Sequence, residues 1–244
     1  MTDDSISLTT NRRLSRLVLN RPSRGNAFTI GMMREFLDAV ERAASESDIL
    51  ILSSNGEDFC LGRDRQDHPS GVTAAQGFEL VTQLNISLEA FPGIVLAQVQ
   101  GRAFGFGIGL IMRSDIAIAA ETARFALDEV KLGIPPMFIM AELLNHISEK
   151  SAFDLVLSSQ EITAREACDI GLVTRWAPDA ALADTVNGLA AELAQRDPRV
   201  LSACKQYMRA LRSVPHRERT AYALAAQTQF AAESHASAPK RASS

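Results

Sequence analysis

The sequence predicts an α/β fold, with a mostly parallel sheet and crossover helices in the front half and helices alone behind it. Three observations carry this. Strand-like apolar runs alternate with helix-spaced apolar positions from Ser5 to about Glu129. Turn residues such as Arg21-Pro22-Ser23, Asn55-Gly56 and Pro92 separate them. From Met137 onward the spacing is almost wholly helical. A parallel strand needs a long crossover, so strands that alternate with helices imply parallel pairing.

The elements follow in order. Ser5–Leu8 and Leu14–Asn20 alternate apolar and polar residues around Asn11-Arg12 and read as a hairpin. Met32, Met33, Phe36, Leu37, Val40 and Ala44 recur at helical spacing behind Thr29, a candidate N-cap. Ile49–Leu52 is an all-apolar run that fits a buried strand. Phe59-Cys60 begins another short strand, and Arg63–Gly71 is a polar loop. Phe78, Val81, Leu84, Leu88 and Phe91 mark a helix that stops at Pro92. Ile94–Val99 and Ile116–Ala119 are strands flanking a glycine-rich turn, Gly101–Gly109, that opens a helix. Thr163 and Glu166 form a capping box, and Gly171 ends that helix. Leu172–Trp176 is extended. Helices at Asp179–Gln195, Pro198–Leu211 and after Arg217 precede a polar tail, His235–Ser244.

Bulk properties narrow the function classes. The chain has 244 residues, 46% hydrophobic and 22% charged, enough to bury a core without a disulfide or metal staple. Net charge is −4 and no Lys/Arg stripe forms, which argues against nucleic acid as the main partner. Cys60, Cys168 and Cys204 fit neither a zinc site nor a disulfide framework. Met1–Thr10 lacks the basic and apolar regions of a signal peptide, and no apolar run reaches the roughly 18 residues of a membrane span. A cytoplasmic protein, off the membrane and without a metal, is expected.

Gly101–Gly109 admits three readings. A dinucleotide-binding turn wants Gly-x-Gly-x-x-Gly, but Gly105, Gly107 and Gly109 have the wrong second spacing. A structural role would let the helix pack closely on the sheet. An anion cradle would use the unpaired N–H groups of the helix N-terminus, where an enolate oxygen would be stabilised. The last two are compatible.

Six segments in register from about Asn20 to Val173 resemble the crotonase (enoyl-CoA hydratase/isomerase) superfamily. They are Asn20-Arg21-Pro22 with Asn26-Ala27; Phe59–Asp64; Gln100–Gly107; Ser114–Ala119; Phe125–Gly133; and Ile162–Val173. The resemblance implies a crotonase-like stack of ββα units, with a core over residues 1–190 and a C-terminal helical trimerisation region over 191–244. It implies an acyl-CoA substrate, no separate cofactor because coenzyme A belongs to that substrate, and a homotrimer or hexamer. It implies an oxyanion hole from the backbone N–H groups of Arg63 and Phe106. It places the CoA moiety near Ser23, Arg24, Gly25, Leu61 and Asp64, and makes Arg24 a phosphate partner.

The carboxylates set the expected chemistry. Hydratases of the family use two glutamates that share a water. Here Glu129 holds one of those positions and Gly109 the other. One carboxylate can take a proton beside the thioester and return it elsewhere on the same chain, which is double-bond isomerisation; hydration also needs a held water. Taken without the resemblance, Glu129 reads as a solvated charge in Asp128-Glu129-x-Lys131. Asp67 and His68 in the polar loop are candidate replacement acids, Glu166 reads as a cap, and His146 as structural. Pro135-Pro136-Met137-Phe138-Ile139 replaces a glycine-rich family segment with a bulkier pocket wall, and the family's C-terminal CoA-contacting end is missing or reduced to Lys240-Arg241. The leading expectation is therefore an enoyl-CoA isomerase or hydratase. Other enolate chemistry (hydrolysis or carbon–carbon cleavage) and a catalytically silent acyl-CoA binder stand as alternatives.

Overall fold

A computed structural model of the chain describes residues 5–236. Most of the expected polar tail at His235–Ser244, including Lys240-Arg241, lies outside the described residues, as do Met1–Asp4. The chain divides into two compact units at Arg196/Asp197.

In the first unit, β1 (Ile6–Asn11) and β2 (Leu14–Leu19) form the expected hairpin. Its turn is Arg12-Arg13 rather than Asn11-Arg12. Asn11 still pairs with Leu14, and Arg12 takes the positive φ of 56° that a two-residue hairpin turn demands. Helix α1 (Ile30–Glu46) starts at Thr29, whose hydroxyl accepts from the Met32 N–H. β3 (Ile49–Ser54) is buried throughout, as its unbroken apolar run requires.

Helix α2 (Ala74–Ala90) begins four residues before Phe78, because Thr73 and Gln76 close a capping box that satisfies its first N–H groups. β4 (Ile94–Val99), β5 (Arg102–Phe104), α3 (Phe106–Arg113), β6 (Ile116–Ala120) and β7 (Arg124–Ala126) follow. Then come α4 (Met137–Leu143), α5 (Glu149–Ser158), β8 (Ile162–Thr163), α6 (Ala164–Asp169), β9 (Arg175–Ala177) and α7 (Leu182–Ala194). The main sheet runs β1-β2-β3-β4-β6-β9, parallel from β2 onward; β5, β7 and β8 form a second sheet. Helix α7 packs on β3, β4 and β6, and α1 packs on α2, β1 and β2. His146 lies past the end of α4.

The strand expected at Phe59-Cys60 does not form. The N–H groups of both residues donate to one carbonyl, that of Arg102, at 3.1 Å each. Two successive N–H groups on one acceptor interrupt a regular ladder, and only an isolated Cys60–Ala103 bridge remains. The second unit holds α8 (Pro198–Ala210) and α9 (Arg219–Ala236), with Tyr207 and Tyr222 stacked at 5.5 Å between ring centroids. Cys60 is buried, Cys168 half-buried and Cys204 exposed, and all three are free thiols. No helix among the described residues is long and apolar enough to cross a membrane.

Candidate active site

A cavity of about 760 Å³ opens between the loop after Leu61, the first turns of α2, the start of α3 and the segment Asp128–Ile139. Residues 62–64 lie beside Phe28 like a strand fragment: the Phe28 N–H donates to Gly62 O, and the Asp64 N–H donates to Phe28 O, each at 2.9 Å. N–H directions alternate along an extended segment, so the Arg63 N–H faces away from Phe28. Across the gap stands the start of α3. The Phe106 N–H belongs to the first turn of that helix, whose N–H groups have no intrahelical acceptor. Neither the Arg63 nor the Phe106 N–H finds a partner among the described residues.

Glycine permits this approach. A Cβ on Gly107 would sit 2.4 Å from the Cys60 carbonyl oxygen, so any side chain there would push α3 off the 60–62 segment. Phe106 is accommodated because its ring finds a place among aromatic side chains. It packs edge-on against Phe28 at 5.0 Å, which in turn meets Phe36 at 5.7 Å. The ring thus anchors the start of α3 in the core, and Phe106 borders the cavity.

Glu129 opens a short 3-10 turn, Glu129–Leu132, shortly after β7 and lines the same cavity. Its Oε2 is buried without a hydrogen-bond partner. Burial pushes its carboxyl above the ordinary carboxylate range; its own backbone N–H and the charge of Arg65 oppose this, and Asp128 adds to it. Arg65 and Asp128 pair at 3.8 Å on the rim. At Gly109, where the second acid of the family would stand, a Cβ would lie 3.0 Å from Cδ1 of Ile139. Ile139 and its neighbours Ile134–Phe138 line the cavity, so the expected bulky wall is present.

The other expected positions divide. Leu61 and Asp64 line the cavity; Ser23, Arg24 and Gly25 do not. They sit on the 3-10 turn Pro22–Arg24 and its cap, beside Leu61, whose N–H donates to the Gly25 carbonyl at 2.9 Å. Ser23 and Arg24 are exposed. Asp64 is held by Arg21 at 2.8 Å and, more loosely, Arg24 at 3.7 Å. The Gln66 N–H, followed by Arg21, keeps its carboxyl below the usual range against burial. Arg24 also donates to Gln66 Oε1 at 2.6 Å.

Asp67 and His68 line the cavity, but the Asp67 carboxylate already accepts the Ile30 N–H at 2.6 Å. Glu166 is the cap that the sequence predicts, accepting from the N–H and hydroxyl of Thr163 at 2.7 Å each. His146 and Glu142 are not among the lining residues. The Arg63 side chain, inside the cavity on Phe78, is a feature that motif reading missed, because the motif uses only the main chain there. No group of three potential metal-ligating side chains occurs among the described residues.

A carboxyl group with one unpartnered oxygen, in a cavity that two unpaired N–H groups border, can move a proton beside an oxygen that gains negative charge. Comparison with known proteins shows the family. The 2,3-dehydroadipyl-CoA hydratase of Escherichia coli is 31% identical over 226 residues, covering 89% of this chain and 89% of that protein. The 1,2-epoxyphenylacetyl-CoA isomerase of the same organism is 31% identical over 199 residues, covering 78% of this chain and 76% of its own. In fold, a putative enoyl-CoA hydratase from Thermobifida fusca, solved in complex with CoA, superposes with a TM-score of 0.87 at 24% identity, over 96% of this chain and 95% of that one. The family model for enoyl-CoA hydratase/isomerase matches residues 9–241. The chain belongs to the enoyl-CoA hydratase/isomerase family of acyl-CoA-processing enzymes, with the crotonase fold.

Proposed function

We propose that the protein isomerises the double bond of an enoyl-CoA through a thioester enolate, with Glu129 as the single acid/base and the N–H groups of Arg63 and Phe106 as the oxyanion hole. The observation that carries this is the buried, unpartnered Oε2 of Glu129 in a cavity that both N–H groups border. Two N–H donors aimed at a developing oxyanion are worth about 10²-fold or more each in kcat. Ionised Glu129 removes the proton next to the thioester, the two N–H groups hold the oxygen charge, and the same carboxyl returns the proton two carbons along the chain. The side chain of Ile139 against Gly109 supports a one-carboxylate reaction.

Hydration is the second reading. It is favoured by Asp67 and Asp128, which line the same cavity and offer a carboxylate from another position. The coenzyme A moiety would lie along Ser23, Arg24, Gly25, Leu61 and Asp64, outside and at the mouth of the cavity. The thioester substrate then needs no separate cofactor. A homotrimer or hexamer in the cytoplasm, serving fatty-acid metabolism, belongs to the same proposal. Exposed Leu144, Phe153 and Leu157 are apolar side chains of the kind an assembly covers.

Incubation with 3-enoyl-CoA and 2-enoyl-CoA esters of several lengths, with products followed by mass and chromatography, tests this. Isomer formed without mass change, and lost in Glu129→Gln, is expected. A gain of one water would replace isomerisation with hydration. Binding without turnover, unchanged in Glu129→Gln, would refute the enzyme reading.

A further inference from the structure

The Arg63 side chain is half-buried and lines the cavity. Its Nη2 lies 3.3 Å from where a Cβ on Gly77 would stand, and its guanidinium carbon is 6.0 Å from the centre of the Phe78 ring. Phe78 in turn meets Phe138 at 5.6 Å. These residues line the cavity, which Ser23 and Arg24 do not. Arg63 Nε is buried without a hydrogen-bond partner, and the guanidinium makes no hydrogen bond or ion pair among the described residues. Asp67 is the acidic group whose charge it feels, and that carboxylate is engaged by the Ile30 N–H. Arg65 and Asp128, not Arg63, are the charges felt by Glu129. A partly buried guanidinium whose N–H donors find no acceptor is costly unless a ligand supplies one, and the nearby charge of Asp67 offers no hydrogen bond to it.

We propose that Arg63 is the specificity residue for an acyl group that bears its own carboxylate, so that the substrate class is the mono-CoA thioester of an unsaturated dicarboxylic acid. The guanidinium fork matches a carboxylate in two parallel hydrogen bonds, a geometry that a terminal methyl cannot use. Phe78 and Phe138 flank the chain that leads to it. The main-chain N–H of Arg63 serves the thioester oxygen while its side chain reads the other end of the acyl group. This rests on the reading above that the cavity holds the acyl chain.

The test uses saturated thioesters, which need no turnover: adipyl-CoA, its neutral methyl ester and heptanoyl-CoA, titrated calorimetrically into the full-length protein. Wild type is expected to bind adipyl-CoA about tenfold or more tighter than either neutral ester. Arg63→Met should abolish or reverse that ratio, and Arg63→Lys should keep part of it. With Arg63→Met unfolded, the comparison of acid and methyl ester in wild type still decides. Neutral esters bound as tightly as adipyl-CoA in wild type, or a preference that survives Arg63→Met, would overturn the assignment while leaving the proposed reaction intact. No binding of any CoA ester would overturn both.

Discussion

A Cβ placed on Gly105 would stand 2.5 Å from Oε1 of Glu129. The turn before α3 and the carboxylate proposed as acid/base therefore share one space, and the position of Glu129 depends on residue 105 having no side chain. Gly105 also holds φ +48°, a conformation that side chains resist. Gly105→Ala is expected to cost about 1–3 kcal/mol of stability from strain. It should also lower kcat by more than any loss of folded protein accounts for. Urea unfolding beside single-turnover kinetics measures both.

Glu129 also sets a pH dependence. Its carboxyl is raised above its unfolded value, so its favourable contribution is fully present below the unfolded range and is lost as pH rises through the folded pKa. Above that, the buried charge destabilises the fold. Glu129→Gln should therefore melt higher than wild type at pH 8, and the difference should shrink as pH falls into the ordinary carboxylate range. A lower melting temperature at pH 8 would contradict the burial account. In wild type, the acidic limb of kcat/KM should lie above the ordinary carboxylate range, because the reaction uses the ionised form.

Ile139 and Gly109 make a third expectation. A glutamate restored at 109 must pass Cδ1 of Ile139, 3.0 Å from the Cβ position. Gly109→Glu alone should destabilise the protein without creating a hydratase. Pairing it with Ile139→Ala should relieve the clash and raise the ratio of water addition to isomerisation. Product mass ratios read this directly; an unchanged ratio in the double variant would mean that the second acid acts from elsewhere.

Arg24 is exposed, held by Gln66 at 2.6 Å and only loosely by Asp64, so a phosphate can compete for its remaining N–H groups. Arg24→Ala should raise KM for every CoA ester several-fold, leave kcat nearly unchanged, and make KM less sensitive to salt. A loss in kcat with KM fixed would place Arg24 elsewhere in the reaction.

Much of this site is legible in the sequence where local chemistry fixes it. Thr29 and the Thr163–Glu166 box announce their helices through caps, and the apolar run of β3 announces its burial. Glu129, Arg63 and Phe106 follow from motif register, and all three line one cavity. Strands β5, β7 and β8 are two or three residues long, too short for an alternation to show. The start of α2 was hidden because Ala74–Gly77 carries no large apolar residue ahead of Phe78. The Arg63 guanidinium lying on Phe78 is a tertiary contact between a loop and a helix, which no spacing along the chain encodes.

The most direct measurement is deuterium entry into the acyl chain of 3-hexenoyl-CoA in D2O, followed by mass spectrometry beside product chromatography. Where the protonated Glu129 carboxyl exchanges with D2O before it returns its proton, deuterium should enter the acyl chain as 2-hexenoyl-CoA forms, with no mass of added water. Glu129→Gln should slow both by roughly 10²–10⁴-fold. Deuterium entering at the wild-type rate in Glu129→Gln, or isomer and deuterium absent with both proteins, would contradict Glu129 as the base that forms the enolate.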